Sequence, residues 1–151
     1  MKGVSHVEPE GEAFALKVMH RLNDATKKWK AETGLGFGLY GSPAESLCYR
    51  FAKIDKAKFG EIKDITDKGY YTNSYHVDVR EPIDAFSKLK FESQFQPISS
   101  GGCISYIEIP NMMHNLEALR QMITYIYHNI QYAEFNTKSD CCHVCGFEGE
   151  I

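Results

Sequence analysis

The closing stretch Cys141-Cys142-His143-Val144-Cys145-Gly146-Phe147-Glu148-Gly149-Glu150-Ile151 constrains the fold of this chain more tightly than any other. Cys142 and Cys145 stand in C-x-x-C spacing with Gly146 and Gly149 behind them, the turn of one half of a zinc ribbon. A structural zinc ion takes four ligands at tetrahedral corners. The turn places two thiolates on one side of the ion, and glycines relieve the tight backbone behind them. A second cysteine pair normally follows after roughly 15–20 residues. Only six residues follow Cys145. The expectation is a chain cut from a longer protein, or one completed by another polypeptide. Cys141 and His143 are alternative ligands; Cys142 and Cys145 are preferred because their gap fits the usual knuckle.

The remainder reads as a mixed chain of one domain's length, 151 residues with 43% hydrophobic content, adequate for a core. The net charge of -3 provides no electrostatic footprint for nucleic acid or an anionic membrane. No apolar run approaches the roughly 18 residues of a membrane span, and the first residues carry no signal-peptide core. Five cysteines, an odd number crowded toward one end, suit a reducing compartment and metal or redox chemistry better than a disulfide framework. A cytoplasmic protein is expected.

Residues 10–32 predict an amphipathic helix, with Phe14, Ala15, Val18, Met19, Leu22, Ala25 and Trp29 at spacings of three and four and Gly34 and Gly36 as its stop. Residues 37–41 predict a short strand. Ser42-Pro43-Ala44-Glu45 then reads as a capping box, with Ser42 as N-cap and Pro43 at the first helical position. The helix behind it carries Leu47, Tyr49, Phe51 and Ile54. Residues 70–79 predict a strand ended by Pro82, residues 91–97 are ambiguous, and residues 103–109 predict a strand after the Gly101-Gly102 turn. A last helix over about residues 116–135, opened by His114 or Asn115, carries Leu119, Met122, Ile123, Ile126, Tyr127 and Ile130.

Residues 41–46, a glycine turn feeding a helix, have the form of an anion site, since free N–H groups and the helix dipole converge there; a plain cap has the same form. Gly101-Gly102 allows close approach of a ligand or of another backbone. His76 and His114 lack a partner at useful spacing and read as solvated or core histidines. Cys48 and Cys103 read as small buried hydrophobes.

Four stretches taken in order resemble the anaerobic (class III) ribonucleoside-triphosphate reductases, which are glycyl-radical enzymes. They are Gly38-Leu39-Tyr40-Gly41-Ser42-Pro43-Ala44-Glu45-Ser46-Leu47-Cys48-Tyr49-Arg50-Phe51, Tyr71-Thr72-Asn73-Ser74-Tyr75-His76-Val77, Gly101-Gly102-Cys103-Ile104-Ser105-Tyr106, and Asn136-Thr137-Lys138 leading into the Cys142/Cys145 tail. The resemblance implies an α/β fold, a partial segment of a ten-stranded α/β barrel (residues 1–135) with the first half of a zinc ribbon at its C-terminus (residues 136–151). It implies a fragment of an enzyme that converts ribonucleoside triphosphates to deoxyribonucleoside triphosphates by glycyl/thiyl radical chemistry, with formate the usual reductant. Ser42, Ala44, Glu45 and Ser46 would contact the substrate phosphates, and Cys142 and Cys145 would supply half of a zinc site. The implied partners are a radical S-adenosylmethionine activase, the remaining segments of the reductase and, for the full enzyme, a second copy in a homodimer; no nucleic acid and no membrane is implied. No catalytic residue carries over. The radical glycine belongs to an Arg-x-Cys-Gly-Tyr type motif and the thiyl cysteine to a Met-Gly-Cys-Arg type loop, and the 151 residues contain neither; Cys103 stands in a different motif. The fragment alone is expected to be inactive. The rival reading is a small zinc-dependent binding or dimerisation module without catalysis, two chains sharing one ion.

Overall fold

A computed structural model describes residues 3–42, 44–137, 140–141 and 144–149. Helix α1 runs Pro9–Thr33, with Pro9 in the first turn, where a missing N–H costs nothing, and Gly34 in left-handed conformation (φ 71°) closing its end. Helix α2 spans Glu45–Phe59 and α3 spans Ala85–Glu92; a single 3₁₀ turn covers Gln96–Ile98. Strand β1 (Ser105–Ile109), helix α4 (Leu116–Asn129) and strand β2 (Ala133–Thr137) follow, then the short strands β3 (Asp140–Cys141) and β4 (Glu148–Gly149). The architecture is mixed α/β.

The centre of the fold is β1–α4–β2. Parallel strands need a crossover, and a helix is the usual one. β1 and β2 pair in parallel from Ser105↔Ala133 to Ile109↔Thr137. Alternation sends Ile107 and Ile109 to one face, where they join Leu89 of α3 and Met122 and Ile130 of the α4 segment in a buried cluster. Tyr106, Glu108, Glu134 and Asn136 occupy the alternate positions, on the opposite face. A second cluster gathers Tyr75, Val77, Phe91 and Phe95 under Ala15, Leu16 and Met19 of α1. There the Tyr75 ring stacks on Phe95, with centroids 5.1 Å apart. Helix α3 joins the two clusters, giving Leu89 to one and Phe91 to the other.

Several expectations are corrected. The strand expected over residues 70–79 is irregular chain, because its backbone bonds go elsewhere. Tyr71 N donates to Cys48 O (3.3 Å), Val77 N donates to Glu92 Oε1 (3.2 Å), and Ser74 breaks the extension with φ 53°. Its aromatic and β-branched residues serve packing instead, with Tyr75, His76 and Val77 buried. The last helix stops at Asn129, not near 135, because residues 133–137 alternate correctly to pair with β1. Helix α3 was not expected at all. It is capped by Asp84, whose carboxylate accepts from Phe86 N (2.9 Å) and Ser87 N (3.0 Å). Residues 37–41 make only an isolated bridge, Tyr40↔Gly102. In α1, Ala15 and Met19 pack inward, whereas Phe14, Val18, Leu22 and Trp29 are 40–49% exposed.

Candidate functional site

Three of the stretches singled out in the sequence meet at Gly41. Its N–H donates to Gly102 O (2.9 Å), and Gly101 N donates to Leu39 O (2.7 Å), so residues 39–41 and 101–102 run side by side. The contact tolerates no side chains. A Cβ on Gly101 would stand 3.0 Å from Leu39 O. A Cβ on Gly41 would stand 3.0 Å from Ser74 Oγ and 3.2 Å from the Tyr75 ring. The close approach expected at Gly101-Gly102 is thus made by another backbone. Ser74, in the left-handed region at φ 53°, presses against the turn from the third stretch. A non-glycine residue held there is a local cost that packing must offset.

Past this junction the chain enters α2, and here the capping box is corrected. The N-cap is Ala44 (φ -130°, ψ 42°), and no side chain caps the helix. Gly41 is pinned to Gly102 and Ala44 is itself non-helical, so the helix begins at Glu45 and Ser42 stands too far upstream to be its cap. The first N–H groups of a helix have no intrahelical acceptor. At α2 the N-cap side chain makes no such bond, while Ser42 and Ser46 are exposed and Ala44 is half-buried. Of Glu45 only the helical backbone is described.

Beside this helix start lies a cleft of about 550 Å³. It runs from Cys48 in the first turn of α2, past residues 70–73, to Lys88 of α3 and the Tyr106 and Asn136 face of the sheet. Tyr71 is strapped to α2 twice, through its N–H to Cys48 O and its hydroxyl to Asp55 Oδ2 (2.9 Å). Asp78 holds the far wall: it takes hydrogen bonds from Lys68 Nζ, Tyr70 Oη (3.0 Å) and Arg80 Nε (3.3 Å). Burial alone would raise its pKa, but the Lys68 and Arg80 cations hold it well below the usual carboxylate range.

The cleft's floor carries a buried charge cluster. Glu92 is fully buried on α3. Its Oε1 accepts from Lys88 Nζ (2.6 Å) and Val77 N (3.2 Å) and stands 3.5 Å from His76 Nδ1. Lys88 Nζ also donates to Tyr106 O (2.8 Å). Burial pushes the Glu92 carboxyl up, but His76 and Lys88 overcome it and bring the pKa down to about 2. His76, expected to be without a partner, therefore faces a carboxylate; His114 is exposed as expected. The signal for Lys88–Glu92 was their i,i+4 spacing, which faces one way only on a helix that the sequence reading missed. Tyr75, also buried, has its hydroxyl pKa raised by burial and by neighbouring Cys103. Cys48 and Cys103 are both half-buried.

At the C-terminal tail, β3 and β4 pair antiparallel, Asp140↔Gly149 and Cys141↔Glu148. They close a hairpin whose turn carries exposed Cys145, followed by Gly146 at φ 71°. Cys142 lies outside the described residues. Among the described residues no group of three or more His, Cys, Asp and Glu side chains is placed to hold a metal, and no helix is long and apolar enough to cross a membrane.

A family model described as anaerobic ribonucleoside-triphosphate reductase matches residues 1–151. The anaerobic ribonucleoside-triphosphate reductase of Haemophilus influenzae is 47% identical over 136 residues, 90% of this chain and 19% of its own length. Those of Escherichia coli (46%; 92% and 20%) and Enterobacteria phage T4 (42%; 93% and 23%) are similar to the chain in the same way. The chain spans about a fifth of the length of these curated relatives. Among solved structures, the anaerobic ribonucleotide reductase from Thermotoga maritima with MES in the active site superposes with a TM-score of 0.73 at 24% identity, over 93% of this chain and 25% of that one. The same reductase in complex with dATP and CTP superposes at 0.67 with 22% identity, over 95% and 25%. At these identities the structures speak for the fold.

Proposed function

We infer that this chain, which belongs to the anaerobic ribonucleoside-triphosphate reductase family, works as one segment of an enzyme that reduces ribonucleoside triphosphates to deoxyribonucleoside triphosphates. The observation that carries the reading is the meeting of three of the four resembling stretches at Gly41, at the start of α2. Its part in the reaction is to bind. The backbone N–H groups at Ala44, Glu45 and Ser46, with the Ser42 and Ser46 hydroxyls, form a cradle for substrate phosphates, helped by the positive end of the helix dipole. Residues 1–135 form part of a ten-stranded α/β barrel, and residues 136–151 form the first half of a zinc ribbon; β2 runs two residues past that division.

Zinc fits the donor set as half of a site. Two thiolates in C-x-x-C spacing, Cys142 and Cys145, supply two of four corners, and the left-handed Gly146 permits the turn behind them. Bound there, the ion would tie the hairpin to a second pair of ligands. The radical chemistry itself, a glycyl radical raised by a radical S-adenosylmethionine activase in a homodimeric, cytoplasmic enzyme, belongs in this reading to the other segments.

A replacement experiment tests the proposal. The matching segment of the Escherichia coli reductase is exchanged for these 151 residues, and anaerobic turnover is measured with activase, formate and all four ribonucleoside triphosphates. Deoxynucleotide formation is expected from the chimera, and none from the 151-residue chain alone. A folded chimera without activity overturns the assignment. Ser42→Ala with Ser46→Ala in the chimera is expected to raise KM for the triphosphate more than it lowers kcat.

A further inference from the structure

We propose that His76 is the proton donor of the reduction, with Glu92 as the positioning residue that fixes the tautomer of its ring. This rests on the reductase reading above and adds proton transfer to a segment so far read as binding.

The need for a proton follows from the balance of that reaction. Replacing a ribose hydroxyl by hydrogen breaks one C–O bond and forms one C–H bond. Formate, the reductant, loses its hydrogen and two electrons and departs as carbon dioxide. The hydroxyl takes up a proton and departs as water. One proton is therefore consumed per turnover, and a side chain that delivers it to the leaving oxygen lowers the barrier.

Geometry selects the side chain. Ser74 and Tyr75 press on Gly41, so the next residue, His76, is anchored at the junction that leads into α2. Its ring lines the cleft, with 9% of the side chain exposed. Nδ1 is buried and makes no hydrogen bond to a described residue; it stands 3.5 Å from Glu92 Oε1. A hydrogen on Nδ1 is attracted by that carboxylate, whereas a lone pair there is repelled by it. Glu92 thus selects the tautomer with hydrogen on Nδ1. With Nδ1 turned inward, the edge of the ring open to the cleft is the one that carries Nε2. The imidazolium presents a transferable proton there, and the neutral ring presents a lone pair that takes the next one. The ionisable groups around the ring are Glu92 and Lys88 of α3, Tyr106 and Glu108 of β1, and Tyr75 and Asp78 of its own segment. The N-terminal segment adds His6, whose Nε2 donates to Tyr75 O (2.9 Å). Burial opposes the charges on Glu92 and Asp78, yet His76 and Lys88 hold the first ionised, and Lys68 and Arg80 the second. Burial holds the Tyr75 hydroxyl protonated. Histidine is the side-chain type that ordinarily changes charge between about pH 5 and 8, so in this surround such a change falls to His76 or His6.

The test uses the chimeric reductase described above and the 151-residue chain. In the chimera His76→Gln is expected to lower kcat about 10²-fold or more, with KM little changed. The kcat of the parent chimera should fall as pH rises, because the protonated ring is the donor, and His76→Gln should abolish that fall. His6→Gln should leave both rate and profile as they are. In the chain labelled with ¹⁵N-histidine, NMR should place the hydrogen of neutral His76 on Nδ1. Glu92→Gln should remove that preference and, in the chimera, lower kcat. A folded His76→Gln chimera with the parent's rate and profile overturns the donor role and leaves the reductase reading standing. A parent kcat that does not fall with rising pH overturns it as well, and that measurement decides the matter if His76→Gln does not fold. Neutral His76 with its hydrogen on Nε2 overturns the part given to Glu92. A folded parent chimera without activity overturns the reductase reading, and the donor role with it.

Discussion

Gly101 shows how a single absent side chain holds two distant stretches together. A Cβ there would stand 3.0 Å from Leu39 O, an atom held in place by its 2.7 Å bond from Gly101 N. Backbone cannot swing aside as a side-chain tip can. Gly101→Ala is therefore expected to cost about 1–3 kcal/mol, read as a lower urea midpoint at unchanged slope. Glu92 illustrates the opposite case, a charge buried because its partners are supplied. Its pKa falls from 4.5 to about 2 on folding. A carboxyl depressed in the folded state contributes stability that is complete above the unfolded value and is lost as pH drops through the folded one. The contribution is roughly 3 kcal/mol, expected to disappear between pH 4.5 and about 2. Glu92→Gln should flatten that part of the stability-versus-pH curve; an unchanged acid limb would remove Glu92 as its source.

Among the elements, the β1 and β2 starts are joined by one side chain. Gln96, on the 3₁₀ turn, is buried; its Nε2 donates to Ser105 Oγ (2.9 Å) and Tyr132 O (3.1 Å), and its Oε1 accepts from Gln131 N (2.7 Å) and Tyr132 N (3.3 Å). All of its donors and acceptors are engaged at the point where α4 hands over to β2. Gln96→Leu keeps the bulk but strands several buried polar groups, at an expected cost of about 2–4 kcal/mol. Hydrogen exchange should show β1 and β2 losing protection together. Helix α3 depends on its cap in a smaller way. Asp84→Ala is expected to cost about 1 kcal/mol, with exchange faster in residues 85–87 than elsewhere in the helix.

For the whole molecule the metal is the decisive test. Apparent zinc affinities of about 10–16 kcal/mol belong to sites with a full ligand set, and Cys142 and Cys145 provide half of one. After exhaustive dialysis the 151-residue chain should retain less than one zinc per chain. Either Cys142→Ser or Cys145→Ser should remove what is retained. One tightly held ion per monomeric chain, indifferent to both substitutions, would place the ligands elsewhere. The exposed apolar row of α1, Phe14, Val18, Leu22 and Trp29, also belongs at this scale. The chain spans about a fifth of the length of its relatives, and an apolar stripe on a helix is the pattern of a face that packs.

How much was legible in the sequence depended on how local the physics was. Helix α1 was readable because its period and its terminal glycine are both properties of neighbouring residues. The same holds for the opening of α4 at Asn115, whose Oδ1 accepts from Ala118 N (3.2 Å). Gly101-Gly102 was visible as a place of close approach and Gly41 as a turn feeding a helix, but the sequence could not say what approaches. Only the tertiary structure decided that the two stretches approach each other, with Ser74 against Gly41. Residues 70–79 looked like a strand because aromatic and β-branched side chains serve a pleated surface and an irregular buried loop equally well; the bond from Val77 N to Glu92 separates the two. β2 was taken into the helix before it because its apolar positions fit either period over so short a run, and the pairing with β1 settled the choice. The His76–Glu92–Lys88 cluster was out of reach for the same reason. His76 lies on a different segment from Lys88 and Glu92, which share α3, and the free energy of a buried charge is set by what folding brings beside it.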